Sequence, residues 1–278
     1  MDGKLREKYE HLCSRIRVSG SMAVAFSGGT DSSLLLRTAH DVLGDLSMAV
    51  IAESVIMPEE EQRLAEDFCR KMQVRFVTVK PEAPYSEEFR KNPPDRCYFC
   101  KRDVMGLVKK AAEESGMACV AEGTNADDPD DFRPGMKAVR ELGILSPLKE
   151  AGLTKKEIRE ISRELGISVW DKPSSACLAS RFAYGEYITD RKLSMVAAAE
   201  RMLREKGLRQ LRVRMTGENT ARIEVPTGDF SKVMEENFRR DTVTYLEQLG
   251  FIYITLDLEG FRSGSMNEAL SGGNVREK

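Results

Sequence analysis

The stretch Ala23-Val24-Ala25-Phe26-Ser27-Gly28-Gly29-Thr30-Asp31-Ser32-Ser33 limits the possible folds more than any other part of the chain. An apolar run ends in two glycines, and hydroxyl-rich residues then open a helical pattern. A strand that turns into a helix in this way leaves free amide hydrogens and partial positive charge at the helix start, while glycines let an anion approach the backbone. Ser27, Thr30, Ser32 and Ser33 add hydroxyl donors. The lysine of a G-x-x-x-x-G-K-[ST] loop is absent, and the spacing is not G-x-G-x-x-G. A serine-capped glycine turn would explain the glycines alone, but not the strand before them and the helix after. Ser27, Gly28, Gly29, Thr30, Asp31 and Ser32 are therefore read as a phosphate-binding loop.

Strands and helices alternate around this corner. Ser21–Ser27, Ser47–Glu53 and Arg75–Val79 are short apolar strands of the kind buried in a parallel sheet, and "ACVAEG" is a fourth. Between them fall helices from about Asp31 to Val42, from Pro58 through Lys71, and from the "RCYFCK" segment to about Ser115. Thr154 with Glu157 forms a capping box that starts a helix to Leu165. This rhythm predicts an α/β fold with a doubly wound parallel sheet, in which ligands bind at the carboxyl ends of the strands. The phosphate loop, "EGTNADD" with Gly123 and Thr124, and "RCYFC" would gather there. Past residue 180 the rhythm changes. A helix from about Thr189 to Lys206, strands "LRVRMT" and "ARIEV", a helix over about Phe230–Leu249 and the strand "FIYITL" predict a smaller α+β domain. The expected division is 1–180 and 181–278, with a disordered tail from about residue 271.

Composition narrows the function classes. The formal net charge is −2 and the pI near 6.0, which gives no general attraction to nucleic acid or anionic membrane. No apolar run approaches the about 20 residues of a membrane span, and the charged start MDGKLREKYE is unlike a signal peptide, so a cytoplasmic location is expected. Only two histidines, His11 and His40, are present. Histidine acid–base chemistry and His-rich metal sites have little material, and the six cysteines carry the interest.

Cys13, Cys69 and Cys119 sit in apolar or helical settings and read as small buried hydrophobes. Cys97 and Cys100 form C-x-x-C, and Cys177 lies in "SSACLASR". A structural zinc site wants four ligands, and no second pair or nearby histidine supplies them. Three soft thiolates suit a 4Fe–4S cluster with one open iron. The alternative is a reactive Cys177 beside Lys172 and Arg181. Asp31, Asp127 and Asp128 are candidate oxygen ligands for Mg²⁺. Arg212 and Arg214 alternate on one strand face and can converge on a phosphate or carboxylate, with Arg181, Arg222 and Arg262 nearby in the same domain.

S-G-G-x-D-S resembles the PP-loop of ATP pyrophosphatases. That resemblance implies cleavage of ATP between the α and β phosphates and adenylylation of a carbonyl or carboxyl oxygen. The ordered set "SGGTDSS", "RCYFCKRD", "EGTNADD", "RPG", "SPL", "LTKKEIR", "DKPSSACLASR", "YGEYIT" and "GFRSGSMN" is similar to the LarE family over nearly the whole chain, from Ser27 to Asn267. The family comprises ATP-dependent sulfur transferases that mature a nickel-pincer nucleotide. The resemblance implies a pyridinium mononucleotide substrate carrying two ring carboxylates. Ser180, Arg181, Arg212, Arg214 and Arg262 would hold its phosphate and acid groups, and Glu200 and Glu224 its ribose or ring. ATP, Mg²⁺ and a 4Fe–4S cluster on Cys97, Cys100 and Cys177 are the implied cofactors. In one branch the cysteine matching Cys177 gives up its own sulfur and becomes dehydroalanine. In the other the three cysteines hold a cluster that passes on an extra sulfide from an unnamed donor. A homo-oligomer, a hexamer, is also implied. The competing readings are a PP-loop tRNA thiolase, against which the acidic pI argues, an NAD- or GMP-synthetase-like amidotransferase, which leaves the three cysteines without a task, and a non-enzymatic nucleotide-binding module.

Overall fold

The structure is a computed structural model that describes residues 1–53, 59–80, 86–127, 134–172, 177–217 and 219–262. Several expectations therefore lie outside the described residues: Pro58 as a helix start, Asp128 as a metal ligand, Arg133 of "RPG", residues 173–176 before Cys177, and the chain from 263 onward. In order, the elements are α1 (Gly3–Val18), β1 (Met22–Ala25), α2 (Thr30–Leu43), β2 (Ser47–Ala52), α3 (Glu59–Lys71), β3 (Phe76–Val79), α4 (Glu87–Arg90), α5 (Arg96–Glu114), β4 (Cys119–Ala121), α6 (Pro134–Glu141), α7 (Pro147–Glu150), α8 (Lys155–Glu164), α9 (Asp190–Glu205), β5 (Arg212–Thr216), β6 (Thr220–Glu224), α10 (Phe230–Met234), α11 (Glu236–Leu249) and β7 (Tyr253–Leu256).

The chain divides into two compact units. The first comprises residues 1–86 and 95–175, the second 87–94 and 176–278. In the first, four strands in the order β3-β2-β1-β4 are all parallel, with Ala23 opposite Met48 and Val120. Side chains alternate across this sheet with period two. Met22, Val24, Ala49 and Ile51 join one core with α1, α2, α3 and α8, through Leu12, Ile16, Leu35, Ala65 and Ile161. Ala23, Met48, Val50 and Val120 join another with α5 and α6, through Met105, Val108, Ala112 and Val139. Both faces are covered, which is why the strands read as unbroken apolar runs. The parallel α/β fold expected from the sequence is the one observed. Thr154 accepts from the Glu157 amide while the Glu157 side chain reaches back to the Thr154 amide, so the capping box is formed.

In the second unit β5 and β6 are antiparallel and β7 joins β6 in parallel. Residues 87–94 pack here through Asn92, fully buried at φ 51°, whose amide donates to the Ala183 carbonyl at 2.6 Å. The Gly185 amide returns a bond to the Asn92 carbonyl, and Arg90 pairs with Asp190. The continuous helix expected over about 230–249 is broken at Glu235, whose ψ is 137°. Val233 and Phe238 are both buried, and five residues along one helix they would point about 140° apart. The break turns both toward the core.

Candidate functional site

β1 delivers Ser27 to the loop. Gly28 takes φ 68°, a conformation costly for other residues, and a Cβ there would lie 3.1 Å from the Cβ of Ala65 on α3. Gly29 is the N-cap of α2 without a side-chain cap, so the amides of Thr30, Asp31 and Ser32 open the helix without intrahelical acceptors. The Ser27 and Ser32 hydroxyls share a hydrogen bond at 3.1 Å, and Ser32 Oγ also donates to the Gly29 carbonyl at 3.2 Å. The Thr30 hydroxyl donates instead to the Val169 carbonyl at 2.9 Å, and Ser33 is fully buried. What Thr30 offers an anion is its amide.

A cavity of about 310 Å³ opens at this corner, between the ends of β1 and β4. Strand order reverses here, since β2 and β3 lie on one side of β1 and β4 on the other. Ligands bind at this switch point in such sheets. Its lining includes Gly29, Asp31, Ser32, Gly123 and Thr124, all expected, together with Lys101 and Glu122. Gly123 allows the closest approach. A Cβ on it would stand 3.0 Å from the Ser32 amide nitrogen, inside the first turn of α2. Glu122 is buried and accepts from Lys101 Nζ at 3.0 Å, Ser146 Oγ at 2.8 Å and the Thr124 amide at 3.1 Å. Burial alone would raise its carboxyl, but the Lys101 charge and these hydrogen bonds hold it below the ordinary carboxylate value.

The two described acidic candidates, Asp31 and Asp127, have definite partners. Lys155 Nζ contacts Asp31 Oδ2 at 2.7 Å, while Asp31 Oδ1 is buried without a hydrogen bond. Asp127 Oδ2 accepts the Lys155 amide at 2.7 Å, at the start of α8, so this carboxylate anchors a helix N-terminus. For Mg²⁺, a hard ion that takes oxygen ligands, Asp31 Oδ1 is a fitting donor.

Cys97, exposed, and Cys100, half-buried, sit three apart in the first turn of α5 and so share a helix face in the first unit. Cys177 is exposed in the second unit, where it caps a short turn over Leu178–Arg181. Its carbonyl accepts from the Ser180 amide at 2.9 Å, Ser180 Oγ at 2.7 Å and Arg181 Nη1 at 3.1 Å. Within either unit, among the described residues, no three His, Cys, Asp or Glu side chains are gathered as a metal set. Cys97 and Cys100, on one helix turn, supply two soft thiol donors within the first unit. Burial pushes the other thiols up: Cys69 to about 12, Cys13 and Cys119 in the same direction.

The expected basic cluster of the second unit is built from ion pairs. Arg181, 2% exposed, holds Glu200, 1% exposed, in a bidentate pair at 2.7 and 3.0 Å, and Arg204 joins Glu200 at 2.7 Å. Burial would raise the Glu200 carboxyl, but hydrogen bonds and charge from Arg181, then Arg204 and the Val213 amide, keep it below its ordinary value. Arg214 pairs with buried Glu224 at 3.0 Å and donates to the Ser180 carbonyl at 2.6 Å. Arg222 shares Glu224, and Arg262 reaches Glu259 at 2.9 Å. The carboxylates expected at the ribose or ring are thus buried beneath the arginines. Arg212 differs. Its guanidinium lies 5.1 Å over the Phe261 ring and donates to the Leu211 carbonyl. Burial, then the Arg181, Arg214 and Arg204 charges, pushes it below the usual arginine value, with Glu200 acting the other way. That surplus positive field favours an anion.

Lys101, Glu122, Ser146, Lys155 and Glu61 were not singled out from the sequence. Lys101 and Glu122 stand inside the quoted motifs "RCYFCK" and "EGTNADD", and Lys155 inside "LTKKEI". Position within those motifs was the only available signal.

No protein-family model matches the chain. A pyridinium-3,5-bisthiocarboxylic acid mononucleotide synthase of Lactiplantibacillus plantarum is 37% identical over 271 residues, 96% of each chain. An uncharacterized protein of Synechocystis sp. is 38% identical over 96% of this chain and 99% of its own. A glutamine-hydrolyzing GMP synthase polypeptide of Archaeoglobus fulgidus is 28% identical over 53% of this chain and 52% of its own. Likeness of this extent to the Lactiplantibacillus synthase means that the chain belongs to the LarE family.

Proposed function

We propose that the protein is an ATP-dependent sulfur transferase. In this reading it adenylylates the ring carboxylates of pyridinium-3,5-biscarboxylic acid mononucleotide and converts them to thiocarboxylates for a nickel-pincer nucleotide. The observation that carries the reading is the cavity at the β1–β4 switch point, lined by Gly29, Asp31 and Ser32 at the start of α2 together with Lys101 and Gly123. The full-length likeness to a bisthiocarboxylic acid mononucleotide synthase supports the substrate class.

The triphosphate would lie against the amides of Gly29, Thr30, Asp31 and Ser32, with Mg²⁺ on Asp31 Oδ1. A substrate carboxylate oxygen attacks the α-phosphorus, the bond from that phosphorus to the bridging oxygen breaks, and pyrophosphate leaves. The acyl adenylate makes a poor acyl donor reactive, because AMP is a good leaving group. Arg212, in the positive field of Arg181 and Arg214 beside it, would receive the anionic groups of the mononucleotide. The Cys177 thiolate attacks the acyl carbon and AMP departs with the bonding pair. Loss of the Cys177 Cα proton and cleavage of its Cβ–Sγ bond then release thiocarboxylate and leave dehydroalanine. Cys97, Cys100 and Cys177 would alternatively hold a 4Fe–4S cluster, which when bound supplies an open iron able to carry a sulfide for transfer.

The test is production of AMP and pyrophosphate from ATP with the pyridinium dicarboxylate mononucleotide, beside iron and acid-labile sulfide analysis of anaerobically purified wild type and Cys97→Ala. Substrate-dependent AMP supports the reading, and its absence overturns it. About four irons per chain, lost in the variant, assigns sulfur delivery to the cluster. Iron-free active protein that gains dehydroalanine at Cys177 by mass spectrometry assigns it to that cysteine.

A further inference from the structure

A charge pair outside the phosphate loop grips it, and no step of the proposed reaction uses that pair. Lys172 Nζ donates to the Gly28 carbonyl at 3.2 Å and pairs with the Glu61 carboxylate. Both side chains are mostly shielded, at 20% and 27% exposure. Glu61 lies on α3 one turn before Ala65, the residue against which Gly28 packs, so one helix face supports both contacts. A trans peptide directs its carbonyl and the following amide hydrogen to opposite sides. Holding the Gly28 oxygen toward Lys172 therefore turns the Gly29 amide the other way, and Gly29 lines the cavity.

We infer that Lys172, anchored by Glu61, is a positioning residue that aims the Gly29 amide at the anion in the cavity. Gly28 at φ 68° has no side chain to restrict this peptide, and glycine linkages rotate readily, so an external clamp has something to fix. With the peptide held before the nucleotide arrives, binding costs less reorganisation. Glu61 also neutralises Lys172, so the lysine orients the loop without competing for the phosphates. The inference rests on reading the cavity as the nucleotide phosphate site.

Inorganic pyrophosphate is titrated by calorimetry into the full chain as wild type, Lys172→Met, Lys172→Arg, Glu61→Gln and the Lys172→Met/Glu61→Gln double variant. Circular dichroism confirms that each is folded. Loss of one aimed donor to a charged acceptor predicts about tenfold weaker binding for Lys172→Met. Lys172→Arg restores most of it. The double variant has the wild-type net charge yet stays as weak as Lys172→Met, because the peptide is no longer held. Recovery of wild-type affinity in the double variant would overturn the inference, since Lys172 would then act by charge alone. Tighter binding by Glu61→Gln would also overturn it, since a released Lys172 would be reaching the anion itself. If the wild type binds neither pyrophosphate nor ATP, the phosphate-site reading itself fails. Wild-type binding left unchanged by Lys172→Met overturns only the clamp.

Discussion

Replacing Glu200 by Gln should destabilise the second unit far more than an exposed charge removal would. The carboxylate is 1% exposed and serves Arg181 through two bonds of 2.7 and 3.0 Å, Arg204 at 2.7 Å and the Val213 amide at 3.1 Å. Gln keeps the shape but withdraws the negative charge that Glu200 sets against the Arg181 guanidinium, itself 2% exposed. Breaking a buried pair from one side costs roughly 3–5 kcal/mol. Whole domains have only about 5–15 kcal/mol, so much of the unit's stability goes. Guanidinium titration followed by far-UV circular dichroism should show a midpoint lowered by about 1 M. Trp170, the single tryptophan, lies in the first unit, so its fluorescence separates the two responses. Acid dependence supplies a further check. Because the folded Glu200 value is depressed, its contribution is complete above the unfolded value near pH ~4.3 and is lost as pH falls through the lower folded value. The difference between wild type and Glu200→Gln should therefore shrink on acidification in that window. A midpoint shift below about 0.2 M at neutral pH would refute the reasoning, because the pair would then be screened as surface pairs are.

Three further outcomes are expected. Gly123→Ala sets a Cβ 3.0 Å from the Ser32 amide nitrogen and should cost about 1–3 kcal/mol, read as an earlier Trp170 transition together with weaker ATP binding. Brief iodoacetamide treatment near neutral pH should modify Cys97 and Cys177, which are exposed, and spare buried Cys69, pushed up to about 12, as peptide mass mapping would register. Glu122 is also held below its ordinary value, so its stabilisation is present above the unfolded value and lost as pH falls through the folded one; Glu122→Gln should flatten this part of the first unit's acid unfolding curve.

The loop, the strand–helix rhythm and the capping box were legible because each depends on neighbours a few residues apart. The partner networks were not. Glu122, Lys101 and Ser146 come from three separated segments, and no spacing announces that they meet. The arginines of the second unit were recognisable as a basic cluster, but their pairing with Glu200 and Glu224 was not. Arg181 meets Glu200 across 19 residues, and Arg214 meets Glu224 across the β5–β6 ladder. The same limit applies to residues 87–94. They fall within the expected first domain, 1–180, yet Asn92 buries them against residues 182–185.

The sequence alone determined the strand–helix rhythm of the first unit and the chemistry of the corner: apolar periodicity made buried parallel strands, and Ser27–Ser33 joined glycine freedom to a helix start. These are local consequences of sterics and hydrogen bonding. Tertiary structure alone decided which charges cancel. It left Arg212 with surplus positive field, spent Arg181 and Arg214 on buried carboxylates, and set Lys172 and Glu61 behind Gly28. The reason is physical: a charge acts through distance and burial, and packing sets both.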